Sequence, residues 1–286
     1  MEKVSFTTQQ NNIWNMYRYY SQTAVANLCG LIIYNEKKDL LILKKAINNV
    51  IQNQSGLRIC IANMKDGLQY VNEFKTIEIP VRRFESLKEL DAYASIFAQT
   101  NIHHENELLW KIIIAEVNDK TGILVVISHL IADGWSFRLM AELVGKSYDQ
   151  IVKNESANGL FGDYMDYVKK DSEYLHSNRY LRDKEYWENK YQTSPDSTII
   201  KVSSVPNHMI EARKYKEYLN KDFVSNILRY CENRNISIAV LFETIMLIYL
   251  GKINSDNQNV TVGIPVLNRN RISEKKSIGM YVSTLP

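Results

Sequence analysis

A mixed α/β protein of two lobes, the second incomplete, is the fold class that this 286-residue chain predicts. Three observations lead there. Strand-like and helix-like apolar patterns alternate along the length of the chain. One pair of runs, WKIIIAEV and ILVVISH, is nearly continuous in Ile and Val, as in a hairpin central to a sheet covered on both faces. A stretch at 192–207 punctuated by Ser, Thr and Pro separates two halves of the same style. The expected boundaries are therefore a first lobe at 1–191, a linker at 192–207 and the start of a second lobe at 208–286.

Each element follows from its own residues. Thr7 or Thr8 can cap a short helix through Trp14 and Tyr17, because a hydroxyl there accepts from a free first-turn amide. Residues 24–34 are strand-like. Asp39 opens a helix whose apolar positions Leu40, Leu43, Ile47, Val50 and Ile51 fall close to helical spacing. Ser55-Gly56 ends it, and residues 57–61 alternate as a strand does. Lys65-Asp66-Gly67 signals a hairpin returning through Leu68 to Val71. Ser86 with Glu89 forms a capping-box pattern before a helix at 86–99. The apolar hairpin turns at 118–122, and a helix follows Gly134 to about Val152, with Phe137, Met140, Leu143 and Val144 on one stripe. A polar, aromatic-studded helical region runs from Phe161 to about Tyr191. The second half offers a strand near 210–219, a helix at 221–233, an apolar helix from Ser237 and a strand at 260–264.

Composition narrows the function. With 45% hydrophobic residues the chain reads as a soluble globular protein able to bury a sizeable core. The net charge of +3 arises from 35 basic and 32 acidic residues mixed throughout, which leaves no electrostatic footprint for nucleic acid. Cys29, Cys60 and Cys231 are too few and too scattered for a disulfide framework or zinc site, so free thiols are expected. The N-terminus has no apolar signal-peptide core. The longest apolar stretch, 236–250, carries Ser237, Glu243 and Thr244 and reads as a buried helix, not a membrane span. A cytoplasmic protein without a membrane partner is the expectation.

The chemistry concentrates in VVISHLIADGWS, residues 125–136. A strand end holds the imidazole of His129 on a rigid element, which catalysis requires. Gly134 admits unusual backbone angles and leaves room for a ligand. The amides of 134–136 open a helix and can donate to developing negative charge. Histidine titrates near neutrality, so it can take a proton from an attacking amine or hydroxyl. Asp133 suits an anchor for the turn. On spacing alone two readings stay open: a positioned base, or a strand-end histidine bonded to backbone.

Other candidates are weaker. His103-His104 with Glu105 and Glu107 has no Asp-Gly at motif distance and reads as exposed loop. Asp163, Asp166, Lys169 and Lys170 read as a solvated helix face. Ser136 lacks the upstream glycine pattern of a nucleophile elbow, which argues against a serine hydrolase.

SHLIADGWS resembles the HHxxxDG core motif of nonribosomal peptide synthetase condensation domains, a superfamily with the chloramphenicol acetyltransferase fold. Further windows resemble the family in order. TTQQNNIW resembles its opening S-x-A-Q-x-R-x-W motif through Gln10 and Trp14, with Asn12 where Arg is usual. LKKAINNVIQNQSGLRI resembles its R-H-E-x-L-R-x-x-F region through Leu57 and Arg58, with Asn53-Gln54-Ser55 in place of Arg-His-Glu. Phe161 to Tyr164 resembles Y-x-D-Y/F, and Tyr186-Trp187 the Tyr-Trp pair closing the next helix. VTVGIPVLNRN supplies Gly263, Pro265 and Arg269 of G-x-P-x-x-x-R, and IGMYVSTLP resembles I-G-x-F-V-N-T-L-P with Ser283 for Asn.

The resemblance implies that His129 is the catalytic histidine of a tunnel between two lobes, with Trp135 and Ser136 lining the substrate path. It would deprotonate or orient an aminoacyl amine attacking an acyl or peptidyl thioester. It further implies that Gly134 faces the site and that Asp133 pairs with a second-lobe arginine, for which Arg269 is the candidate. No cofactor would be bound directly; substrates would arrive on the phosphopantetheine of carrier proteins, with carrier and adenylation domains as partners. Ser128 stands where the motif's first His is usual, and the family's later H-Q-D-x-P-F-E and R-N-P segments find no match. A synthetase fragment or truncated gene with its first lobe whole is therefore expected. A free-standing acyltransferase using a hydroxyl or small amine, and a degenerate carrier-binding module, stay open as alternatives.

Overall fold

The computed structural model describes residues 2–20, 23–155, 161–193, 215–254 and 259–286. In chain order its elements begin with strand β1 (Val4–Ser5), helix α1 (Thr8–Tyr19), strand β2 (Asn27–Tyr34) and helix α2 (Leu40–Asn53). A 3-10 turn (Ser55–Arg58) leads to β3 (Ile59–Asn63), β4 (Leu68–Val71), β5 (Val81–Phe84) and α3 (Leu87–Phe97). Then come β6 (Trp110–Val117), β7 (Lys120–Ser128), α4 (Gly134–Val152), α5 (Tyr164–Leu175) and α6 (Asn178–Lys190). The chain continues through α7 (Lys221–Asn233), α8 (Ile238–Ile253), β8 (Ile264–Val266), α9 (Ile272–Lys275) and β9 (Ser283–Leu285).

The central sheet has the order β2-β7-β6-β5. β6 and β7 form the apolar hairpin at its centre, paired from Trp110↔Ile127 to Val117↔Lys120. Its turn is shorter than the pattern suggests: Asn118 takes the left-handed conformation at φ 51°, and Gly122 lies within the strand opposite Ala115. Alternation sends Ile112, Ile114, Ile123, Val125 and Ile127 to one face, against α2 and α4. Ile113, Ala115, Leu124 and Val126 go to the other face, with Leu90 and Phe97 of α3. The sheet is covered on both sides, which is why its strands carry no polar alternation. β5 pairs parallel with β6, and α3 supplies the crossover that a parallel pair needs. β5 escapes the sequence pattern because its first three residues are exposed on a short edge strand.

The caps follow chemistry. Thr7 accepts from the Gln10 amide, and the Gln10 side chain accepts in return from the Thr7 amide at 2.9 Å. Asp39 and Ser86 cap α2 and α3 by accepting from the Ile42 and Glu89 amides, and Asp133 caps α4 with Ser136 returning the bond as Gln10 does.

The chain divides into two compact units, whose limits differ from the expected boundaries. One unit is Met1–Ser177 with Leu267–Ser283; the other is Asn178–Val266 with Thr284–Pro286. The segment 267–283 joins the first unit because Ile278, Met280 and Tyr281 are buried there, with Ile278 and Tyr281 in its core. Gly56 and Gly162 allow that segment to lie close: a Cβ at Gly56 would meet the Ile278 carbonyl, and one at Gly162 the Ser273 carbonyl. Backbone cannot step aside as a side-chain tip can. Gly56→Ala is therefore expected to cost about 1–3 kcal/mol of stability, read as a lower urea midpoint.

In the second unit, α7 and α8 begin where Asn220 and Ser237 cap them. Three expectations are corrected here. Residues 215–219 form no strand, and the remainder of the 210–219 expectation, like most of the 192–207 linker, lies outside the described residues. The strand expected at 260–264 begins only at Ile264, where β8 pairs with β9. The apolar helix α8 is not a buried core helix among the described residues, since Ile245, Met246, Ile248 and Tyr249 are all exposed. Apolar composition states a need for cover, but the cover must come from other elements. Among the described residues no single helix is long and apolar enough to cross a membrane.

Candidate active site

The site is built where β7 ends. Ser128 is its last residue, with its amide donating to Leu109 O at 2.8 Å. His129 follows, its amide held by Ala26 O at 2.7 Å. Leu130, Ile131 and Ala132 are buried, and Asp133 then caps α4. His129 is half-buried, and its Nδ1 is enclosed without a hydrogen-bond partner among the described residues. Enclosed polar atoms are nearly always paired, and this is one of ten left over among the described residues, with Trp14 Nε1, Tyr34 Oη and Tyr281 Oη among the others.

Asp133 and Arg269 sit together. Arg269 Nη2 lies 3.0 Å from both Asp133 carboxylate oxygens, and both side chains are fully enclosed. Asp133 also accepts from the Ser136 amide at 2.9 Å and the Tyr281 amide at 3.2 Å. Arg269 Nη1 donates to the carbonyls of Glu274 and Ser277, each at 2.6 Å, and the guanidinium lies 3.9 Å from the Tyr281 ring centroid. The planar fork of arginine suits such divided donation. This arginine belongs to the same compact unit as Asp133.

Three site expectations change. Ser136 does not line an open path: it is buried, with its hydroxyl between Asp133 Oδ1 at 2.9 Å and Gly279 O at 3.0 Å. Its amide is also committed to the Asp133 cap, which removes it from any oxyanion role. Gly134 needs no unusual backbone angle, yet it is exposed and a Cβ there would meet nothing within 4 Å. The open space beside the motif remains. Trp135 is half-buried and its Nε1 donates to Lys275 O at 3.0 Å.

His103 is the largest correction. It is not an exposed loop residue but is 3% exposed, and its Nε2 shares a 2.8 Å hydrogen bond with Ser128 Oγ. Only His104 is exposed. Burial first, and then neighbouring His104, lowers the His103 pKa to about 4. An unfolded histidine titrates near 6.5, so the unfolded chain binds the extra proton first. Stability is full above pH 6.5 and falls as pH drops toward 4, approaching about 3 kcal/mol of loss. Urea midpoints measured from pH 7 to pH 4 check this, and His103→Phe should flatten that part of the profile.

Neutral amides complete the surroundings. Gln10 Nε2 donates to Leu130 O at 2.9 Å and to Gln69 Oε1 at 2.8 Å. Gln54 donates to Lys276 O at 3.0 Å and accepts from the Ile278 amide at 2.7 Å. Ser55 donates to Asp163, which caps α5 while staying exposed, with Asp166 and Lys169, on a solvated face. Lys170 pairs with Glu274 at 2.7 Å. Burial would raise the Glu274 pKa, but Lys170 and the amides of Arg271 and Asn270 outweigh it and hold the carboxyl low. Among the described residues, no cluster of His, Cys, Asp or Glu could hold a metal ion.

The Condensation domain family model matches residues 1–286 of the chain. Surfactin synthase subunit 1 of Bacillus subtilis is 22% identical over 98% of this chain, which spans 8% of that protein. The dimodular nonribosomal peptide synthase of the same organism is 19% identical over 99% of the chain and 12% of its own length. Among solved structures, the first condensation domain of the calcium-dependent antibiotic synthetase, with a substrate analogue, matches at TM-score 0.84 and 15% identity. That match covers all of this chain and 68% of the solved one. The starter condensation domain of rhizomide synthetase, with C8-CoA, matches at TM-score 0.82 and 19% identity, over 99% of this chain and 66% of its own. The mixed α/β fold is thus that of condensation domains, which have the chloramphenicol acetyltransferase-like architecture, and the chain belongs to the condensation-domain family.

Proposed function

We propose that this chain serves amide-bond formation in a nonribosomal peptide synthetase. The donor is an acyl or peptidyl thioester on a carrier's phosphopantetheine, and the acceptor is an aminoacyl group on a second carrier. Carrier and adenylation domains are the implied partners. The acceptor nitrogen attacks the thioester carbonyl carbon; the C–N bond forms and the C–S bond breaks. His129 takes the proton leaving the amine or orients that amine, and the departing sulfur is protonated to the free thiol.

The observation that carries this reading is the imidazole at the end of β7, with an enclosed, unpartnered Nδ1 among the described residues, close in sequence to the open space at Gly134. Asp133 and Arg269 hold the turn and take no part in proton transfer. The test supplies a donor-loaded carrier and an aminoacyl-loaded carrier and follows the amide product by mass spectrometry. Product formation that depends on His129 supports condensation. Product from soluble amines or alcohols without an acceptor carrier points instead to a free-standing acyltransferase. Carrier binding with no turnover, even when the remaining second-lobe sequence is supplied, identifies a non-catalytic binding module.

A further inference from the structure

We infer that His103 is a positioning residue for His129, acting through the Ser128 hydroxyl. The inference rests on the proposed acyl transfer at His129 and adds a residue to it.

A histidine that moves protons is ordinarily aimed by a group bonded to its second ring nitrogen. His129 Nδ1 has no such partner among the described residues, so the placement of the backbone that carries the ring weighs more in aiming it. That backbone is gripped on both sides. Ser128 Oγ accepts from the Leu130 amide at 3.1 Å while sharing its 2.8 Å bond with His103 Nε2. One oxygen thus ties residue 128 to residue 130 across His129. On the other group of residue 130, Leu130 O accepts from Gln10 Nε2 at 2.9 Å.

His103 is itself held in place. Its ring centroid lies 4.3 Å from that of Tyr17, which stacks on Trp14 at 5.2 Å. Its amide donates to Asn101 Oδ1 at 3.2 Å. Trp14, Tyr17 and Gln10 all lie on α1, so one helix supports both grips on Leu130. Without the imidazole, the Ser128 hydroxyl keeps the Leu130 amide but loses its second anchor, and the turn that aims His129 loosens.

The test uses the 286-residue chain carrying His103→Phe, Ser128→Ala, both together, or His103→Gln. His103→Phe keeps a ring and removes its nitrogen; His103→Gln keeps a hydrogen-bonding group. Each of the first two is expected to lower kcat about 10- to 100-fold with KM for the loaded acceptor carrier unchanged. The double variant should lose no more than the worse single one, and His103→Gln should recover much of the rate. Independently of turnover, the 13C–1H resonance of the His129 ring should move in His103→Phe and Ser128→Ala and stay in place in His104→Ala. An unmoved His129 resonance in His103→Phe overturns the inference, as does a loss confined to KM. If His103→Phe fails to fold, Ser128→Ala decides by the same two readouts. Should turnover be lacking even when the remaining second-lobe sequence is supplied, the acyl-transfer reading fails, while the resonance still decides whether His103 positions His129.

Discussion

His129→Ala is expected to lower the condensation rate by a factor on the order of 10²–10⁴, the usual contribution of a positioned acid–base group. The expectation comes with a stability control. Most buried-residue substitutions cost stability, which clouds a loss of rate. Here the side chain removed is half-buried and carries an enclosed nitrogen without a partner among the described residues. An unsatisfied buried polar atom costs about 1–3 kcal/mol. Removing it relieves that cost, so the alanine variant should unfold at a urea midpoint equal to or above that of the unaltered chain. A large rate loss with undiminished stability separates chemistry from folding. A rate within a few-fold of the original would leave His129 as packing and sink its proposed role.

Much of this is legible along the chain, and the failures share a cause. The β6–β7 hairpin shows itself because two faces of burial leave one composition: Ile and Val nearly without interruption. Asp133 and Arg269, which the family resemblance pairs across 136 residues, lie 3.0 Å apart. His103 is hidden because its burial comes from Tyr17 of α1 and Ser128 of β7, both remote in sequence. Local pattern sees a polar turn before a strand and nothing more. Gln10, Gln54 and Gln69 are hidden for another reason. An amide satisfies backbone groups from either end without any charge or spacing to announce it. The return of 267–283 to the first unit is likewise a matter of non-local burial, carried by Ile278 and Tyr281.

Arg269→Ala is expected to cost about 3–5 kcal/mol of unfolding free energy, as breaking a buried ion pair does. Against a typical total of about 5–15 kcal/mol, that is a large share. The main penalty is not the lost attraction but the Asp133 carboxylate left enclosed without its cation. The carbonyls of Glu274, Ser277 and Gly279 also lose a donor, and the Tyr281 ring loses the cation over its face. Arg269→Lys should recover little, because one ammonium cannot reproduce a fork that reaches Asp133 and three carbonyls at once. The double variant Asp133→Ala with Arg269→Ala should cost less than the two single losses added, since no buried charge is then stranded. Urea unfolding of the four proteins measures the cycle. Additive losses would mean that the two residues act separately, against the geometry. The coupling also has a functional side: Asp133 caps α4 and ends the turn that begins at His129. A variant that loses Arg269 should therefore lose rate as well as stability, whereas His129→Ala should lose rate alone.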